Sequence, residues 1–321
     1  MHLCAFAGAL FLTLGAFAQA PEPRGLADLN KGDYDNAFKL LSARLVSNPN
    51  DVVAQRALLR VYIETGRYPE AEATAKRFLQ KTPETGIVRH QLAEALAATG
   101  KHTEAIAEFE RAAADSENAD KLESDLRRAE VLDLIGQEDR AKAIYETFVK
   151  YYTDNDPNSA QELTLIARAL VHLERFQDAN DMYRSAIEAD SNYFEAQLGA
   201  AELFTAKYAY SDAALFLDDA FKINPNSARA YLNLARNKRY GGDAEMTAAI
   251  SKALAINPNL VDAIALKAAM ALEANKLDEA ATEIDKALKI NSRSLEAHSL
   301  QAAMLYLQDR DFEPEVAATL A

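Results

Sequence analysis

Residues Asn192 to Asn259 read NYFEAQLGAAELFTAKYAYSDAALFLDDAFKINPNSARAYLNLARNKRYGGDAEMTAAISKALAINPN, and the second half repeats the plan of the first. Ala201 and Ala235 lie 34 residues apart, as do Tyr208 and Gly242, and Pro225 and Pro258 lie 33 apart. Apolar residues within each half recur at helical spacing, and the Asn-Pro-Asn triplets stop each unit, because the residue before proline is pushed out of the helical region. The unit is therefore a pair of helices of near-constant length.

Working outward, the turn inside each pair falls at Gly32, Gly66, Gly100, Gly136, Glu174, Tyr208, Gly242, Asn275 and Asp309, at steps of 34, 34, 36, 38, 34, 34, 33 and 34. Gly or a polar residue is expected where a helix ends in a left-handed conformation. An aromatic or apolar residue follows at Tyr34, Tyr68, Phe176, Tyr210 and Leu277, and a small one three positions later at Ala37, Ala71, Ala105, Ala141, Ala179, Ala213 and Ala280. Equivalent alanines recur in the first helix (Ala93, Ala129, Ala167, Ala201, Ala235, Ala268, Ala302) and in the second (Ala112, Ala186, Ala220, Ala253, Ala287). Small side chains at fixed places let antiparallel helices approach closely.

A period of 34 with these small and terminal positions resembles the tetratricopeptide repeat family, whose pattern runs W-x2-L-G-x2-Y, then A-x3-F, then P. The tryptophan is replaced throughout, for example by Tyr231 and Leu163. The resemblance implies an all-α fold, a right-handed superhelical solenoid of antiparallel helix pairs, with about eight units and a partial ninth over residues 21–321. The first unit keeps only a short leading helix near Arg24 to Asn30. Longer joints are expected around Asp115 to Lys121 and Tyr151 to Ser159, the second being the softest point. The Asn or Ser after each joint is expected to cap the next helix. The apolar stripe Leu215, Leu217, Phe221 and Ile223 is expected in the core.

Residues 1–20 (MHLCAFAGALFLTLGAFAQA) carry no Asp, Glu, Lys or Arg and end in the small-x-small triplet Ala18-Gln19-Ala20. They read as a secretory signal peptide cleaved before Pro21, which places the mature chain in the periplasm or outside the cell with no membrane span left; the alternative is an uncleaved anchor, whose apolar run is short for a bilayer span. Its one cysteine, Cys4, leaves with that segment, so the mature chain needs no disulfide.

A formal charge of −14 argues against nucleic acid as a partner, since phosphate binding draws on surplus Lys and Arg. His90, His102, His172 and His298 form no H-E-x-x-H pair, and no Gly-rich phosphate loop or nucleophile elbow occurs. The expectation is a chain without catalytic residues, metal or cofactor, whose work is interaction. A catalytic domain encoded beyond Ala321 is the alternative, with this chain as the repeat region of a larger hydrolase or transferase.

The resemblance further implies that the first helices line a concave groove. Carrying the family's groove positions over gives Val53, Arg56, Arg60 and Ile63; His90 and Glu94; Leu126 and Glu130; Thr164, Arg168 and His172; Leu198 and Glu202; Arg229, Leu232, Arg236, Arg239 and Tyr240; Ala265 and Leu272. The arginines suggest a protein or peptide partner of acidic character, because a guanidinium fork matches carboxylates. The competing expectation is that they pair with acids of neighbouring units, such as Glu202 with Arg236. Asn233 matches the middle Asn of the family's carboxylate clamp, but Leu198, Glu202, Asp262 and Leu266 stand where the clamp needs its other residues. The expected groove surface is thus Arg56, Arg60, Arg168, Arg229, Asn233, Arg236, Arg239 and Tyr240.

Overall fold

The computed structural model of the chain describes residues 24–83, 85–115, 120–239 and 243–320. The elements among them are eighteen α-helices: α1 Leu26–Asn30, α2 Tyr34–Ser47, α3 Val52–Glu64, α4 Tyr68–Leu79, α5 Gly86–Ala98, α6 His102–Ala114, α7 Lys121–Leu134, α8 Glu138–Asn155, α9 Ala160–His172, α10 Phe176–Ala189, α11 Phe194–Ala206, α12 Tyr210–Ile223, α13 Ala228–Asn237, α14 Asp243–Ile256, α15 Val261–Glu273, α16 Leu277–Ile290, α17 Leu295–Leu307 and α18 Glu313–Leu320. Each odd-numbered helix packs on the even one that follows. From α1 to α13 it also touches the odd helix of the next unit, as α3 does with α5, α7 with α9 and α11 with α13, and α15 touches α17, while α13 and α15 are linked through Arg236 and Asp262, so the first helices form an inner row.

The alanine positions are where the helices meet. Ala37, Ala71, Ala105, Ala141, Ala179, Ala213 and Ala280 have no exposed surface, nor do Ala129, Ala167, Ala201 and Ala235 of the inner row. Larger side chains fill the space between these contacts, as Tyr145, Phe148, Ile166 and Tyr183 do where α8, α9 and α10 join. Ser227 and Ser294 each cap the helix that follows with the side-chain oxygen, as Asp51 and Ser159 do elsewhere. Leu215 is exposed, whereas Leu217 is buried, so the expected apolar stripe of α12 is only partly core.

The described turn residues adopt left-handed backbone: φ is 76° at Gly32, 72° at Gly66, 77° at Gly100 and 74° at Gly136, and 58°, 61°, 56° and 55° at Glu174, Tyr208, Asn275 and Asp309. Gly242 and the expected signal segment 1–20 lie outside the described residues. Four turns tolerate a side chain in this conformation, so positive φ alone does not demand glycine.

The demand comes from the far end of the chain. A Cβ added at Gly32 would lie 2.2 Å from Oδ1 of Asn224, at Gly66 2.1 Å from that of Asn257, and at Gly100 2.2 Å from that of Asn291. The joint after the sixth unit thus sits on the turn inside the first, the seventh on the second and the eighth on the third. The superhelix closes against itself. Asn226 Nδ2 donates to Gly32 O at 3.1 Å and Asn224 Nδ2 to the Tyr34 hydroxyl at 3.4 Å. Asn259 Nδ2 donates to Gly66 O at 2.9 Å, while Asn257 Nδ2 reaches the Tyr68 hydroxyl at 3.1 Å and Ile63 O at 3.4 Å. Asn226 and Asn259 therefore link superhelical turns, and do not cap the next helix as the sequence suggested.

Tyr151 to Asn155, within the second expected joint, are helical. They extend α8 to 18 residues, against 14 in α10 and α12. The Tyr151 hydroxyl donates to Glu162 Oε1 at 2.5 Å across the bend. The lengthened step of 38 is absorbed mostly as helix. The other expected joint, near 115–121, is a loop between α6 and α7, of which residues 116–119 lie outside the described set.

Two glycine substitutions separate backbone strain from closure. Gly136→Ala meets nothing within 4 Å and should cost only the left-handed penalty, about 1–2 kcal/mol. Gly66→Ala must also expel Asn257, whose carboxamide is held by Asn259 N, Tyr68 and Ile63, and should cost at least about 1 kcal/mol more. Urea unfolding followed by circular dichroism checks the difference, and equal losses would contradict it.

Candidate functional site

The inner row presents a polar concave face, and ion pairs between successive first helices organise it. Arg127 of α7 binds Glu94 of α5 through Nε at 2.6 Å and also binds Glu130 on its own helix. Glu130 takes Arg168 of α9 at 2.8 Å, and His172 Nδ1 of α9 lies 3.2 Å from Asp133. Further along, Arg229 of α13 binds Glu195 of α11 at 3.0 Å, Arg236 binds Asp262 of α15 at 3.1 Å, and Arg239 binds Glu273 at 2.6 Å. Arg56 of α3 reaches past one unit to the buried Asp120 at 2.7 Å.

The arginines are therefore largely ties between units, as the competing expectation held, but with other partners. Arg236 pairs with Asp262 and not with Glu202. Several expected groove positions belong to the core: Leu126, Leu198, Leu232 and Ala265 are buried, and Thr164 donates to Ala160 O at 2.7 Å. His90 is buried too, with Nδ1 2.9 Å from Ser124 Oγ. Asn233 is buried and accepts from Thr205 Oγ1 at 3.2 Å, which gives it a structural partner. Tyr240 lies outside the described residues.

Three groove groups differ from the rest. Arg60, Glu64 and Glu202 have no oppositely charged group within ion-pair distance among the described residues, although the field of each is felt by others. Arg60 and Glu64 of α3 act electrostatically on Glu195 and Arg229 of α11 and α13, so opposite walls of the superhelix face one another across a confined space. Confinement raises the Glu64 carboxyl above its ordinary range by desolvation, with Arg229 and Arg60 offsetting only part. Glu202 is raised in the same way, although by surface area it is exposed to the lumen, because protein walls stand around that lumen. Glu130 behaves oppositely. Desolvation would raise it, but the Arg168 and Arg127 guanidiniums outweigh that and hold it well below the usual carboxylate range.

Among the described residues no group of three or more His, Cys, Asp or Glu is placed to hold a metal ion, and no helix is long and apolar enough to cross a membrane.

A sequence profile described as tetratricopeptide repeat matches residues 23–85, 56–120 and 164–228, and a second of the same description matches residues 123–155. The chain belongs to the tetratricopeptide repeat family. Solved tetratricopeptide structures share its fold. A tetratricopeptide repeat protein from Parabacteroides merdae is 18% identical with a TM-score of 0.51, covering 85% of this chain and 100% of the other. A chain of the APC/C hetero-tetramer Cut9-Hcn1 is 15% identical with a TM-score of 0.52. That match covers 87% of this chain but 54% of the other, so this chain spans about half its length. No curated protein matches. Tetratricopeptide repeats typically mediate protein–protein interaction.

The ion pairs differ in weight by burial. Glu130 is 14% exposed and serves two guanidiniums, so Glu130→Gln should lower stability by about 2–3 kcal/mol. Arg239 and Glu273 are 43% and 60% exposed, and Glu273→Gln should cost less than about 1 kcal/mol. Because the Glu130 pKa is depressed, its contribution is complete above the ordinary value of 4.5 and is lost as pH falls through the lower folded value. The gap between wild type and Glu130→Gln should close in that acid range. Urea midpoints measured across pH check both statements.

Proposed function

We propose that this chain is a non-catalytic scaffold of the cell envelope that holds an extended segment of a protein partner along its concave face. The segment presents a carboxylate to Arg60. One observation carries this reading: Arg56, Arg168, Arg229, Arg236 and Arg239 are each engaged by an acid of the same chain, whereas Arg60 has no such ion pair among the described residues. A partner acid meeting Arg60 displaces nothing, while one meeting Arg229 must first break its bond to Glu195. Glu64, one helical turn from Arg60 on α3, disfavours a purely anionic segment and fits a partner that alternates acidic with basic or polar side chains. The fold supports this as a grip for a chain segment, since successive inner helices repeat the same spacing along the groove.

In the envelope the signal segment is removed, and the mature protein begins at Pro21. N-terminal sequencing of the protein from the producing cell should read Pro-Glu-Pro-Arg. Retention of Met1 would contradict export by cleavage. For the groove, partners captured from the envelope fraction by wild type should be lost about tenfold with Arg60→Ala. Arg236→Glu with Arg239→Glu, which breaks two exposed ion pairs, should weaken capture less while helicity is kept. Equal capture by wild type and Arg60→Ala would reject the Arg60 site.

A further inference from the structure

The three contacts that close the superhelix are not alike. The first two pair Gly32 and Tyr34 with Asn224-Pro225-Asn226, and Gly66 and Tyr68 with Asn257-Pro258-Asn259, each joined by side-chain hydrogen bonds. In the third, the Gly100 turn meets Asn291 and Arg293 of the Asn291-Ser292-Arg293 joint, and His102 lies within the field of Arg293. His102 occupies the position of the two tyrosines, the first residue of the second helix. It is 3% exposed, and neither ring nitrogen has a hydrogen-bond partner. Asn291 still fills the place of the missing Cβ at Gly100, but among the described residues no hydrogen bond crosses this contact. The third contact is held by packing alone.

We infer that His102 is the proton-sensitive element of a latch. Its neutral ring lets the Asn291-Ser292-Arg293 joint seat on the Gly100 turn, and protonation releases that joint, so the last units swing away from the first superhelical turn. The seated joint presents the Arg293 guanidinium to His102, so an imidazolium would face a like charge in a site closed to water. Burial and then Arg293 both hold the ring below the ordinary imidazole value of 6.5, which is the sign a latch shut at neutral pH requires. Lys101, the neighbour of His102, is turned to Glu72 at 2.7 Å. On the opposing side, exposed His298 of α17 has Nε2 3.0 Å from Ser292 O, a bond that an imidazolium there would keep. The tyrosine contacts cannot respond in this range: burial raises Tyr34, and it raises Tyr68 to about 12 against the pull of the Asn257 hydrogen bond. Opening therefore begins at the C-terminal end and leaves the first two contacts shut.

Hydrogen exchange of the full chain, read by mass spectrometry and corrected for the intrinsic effect of pH, tests this. Below the ordinary imidazole value, protection of peptides around Gly100–Glu104 and Asn291–Ala297 should fall in wild type, approaching about tenfold per pH unit for a single proton. Peptides around Gly32 and Gly66 should keep theirs. His102→Tyr, which restores a hydroxyl within reach of Asn291, and His102→Gln, which cannot titrate, should both abolish the acid response, while His298→Gln should retain it. Unchanged protection in wild type at pH 5, or an acid loss that persists in both His102 variants, would overturn the latch. Loss confined to the His298→Gln comparison would assign the response to His298 and overturn it equally.

Discussion

An asparagine carboxamide seated where a turn residue lacks its Cβ is the contact on which this architecture depends. Stacked helix pairs alone make an open spiral, in which each unit touches only its neighbours. Here Asn224, Asn257 and Asn291 reach units more than 190 residues earlier, and the spiral becomes a closed tube over its first three turns between helices. The carboxamide fits this task because it is short, carries both donor and acceptor, and is locked by its own joint: Oδ1 of Asn224, Asn257 and Asn291 accepts from the backbone N of the residue two further on. With the oxygen so occupied, the amides of Asn224 and Asn257 are aimed across the gap, at Tyr34 and Tyr68.

Closure changes the electrostatics of the concave face. In an open spiral, arginines on the inner row would face solvent, and water and salt would screen their charges. In this tube Arg229 feels Glu64, and Glu195 feels Arg60, from the far wall. Acids with a guanidinium at hand, Glu94, Glu130 and Glu195, are held ionised despite desolvation. Those without one, Glu64 and Glu202, are pushed towards the neutral form. The same inner row thus stiffens the stack through inter-unit pairs and leaves Arg60, Glu64 and Glu202 outside ion pairs among the described residues.

The repeating hairpin was legible in the sequence because its signals are local. Turn residues, alanines and Asn-Pro joints recur at a fixed interval, and the structure puts each described turn at positive φ and the alanines at the helix contacts. The long-range contacts were not legible as such, since no periodic pattern ties Gly32 to Asn224. A signal existed nonetheless. Gly32, Gly66 and Gly100 hold the three turns that an asparagine meets, whereas Glu174, Tyr208, Asn275 and Asp309 share the left-handed backbone without glycine, so at those three turns more than φ calls for it. The groove was half legible. Family positions found Arg168 and Arg229, but could not tell which arginines the chain would satisfy itself. That depends on Glu130 and Glu195 standing on the neighbouring helix at matching height. The extra residues near Tyr151 read as a loop because Asp, Asn and Pro cluster there, yet the run before Asp156 keeps helix-compatible residues and simply lengthens α8.

Closure of the tube is most directly measured as a distance. Spin labels at Lys31 and Pro225, both exposed and flanking the first inter-turn contact, report it by double electron–electron resonance in the intact protein. The expected result is one narrow, short distance that lengthens and broadens when Asn224 and Asn226 are replaced by alanine. A broad, long distribution already present without those replacements would mean that the spiral is open in solution, and would contradict the account.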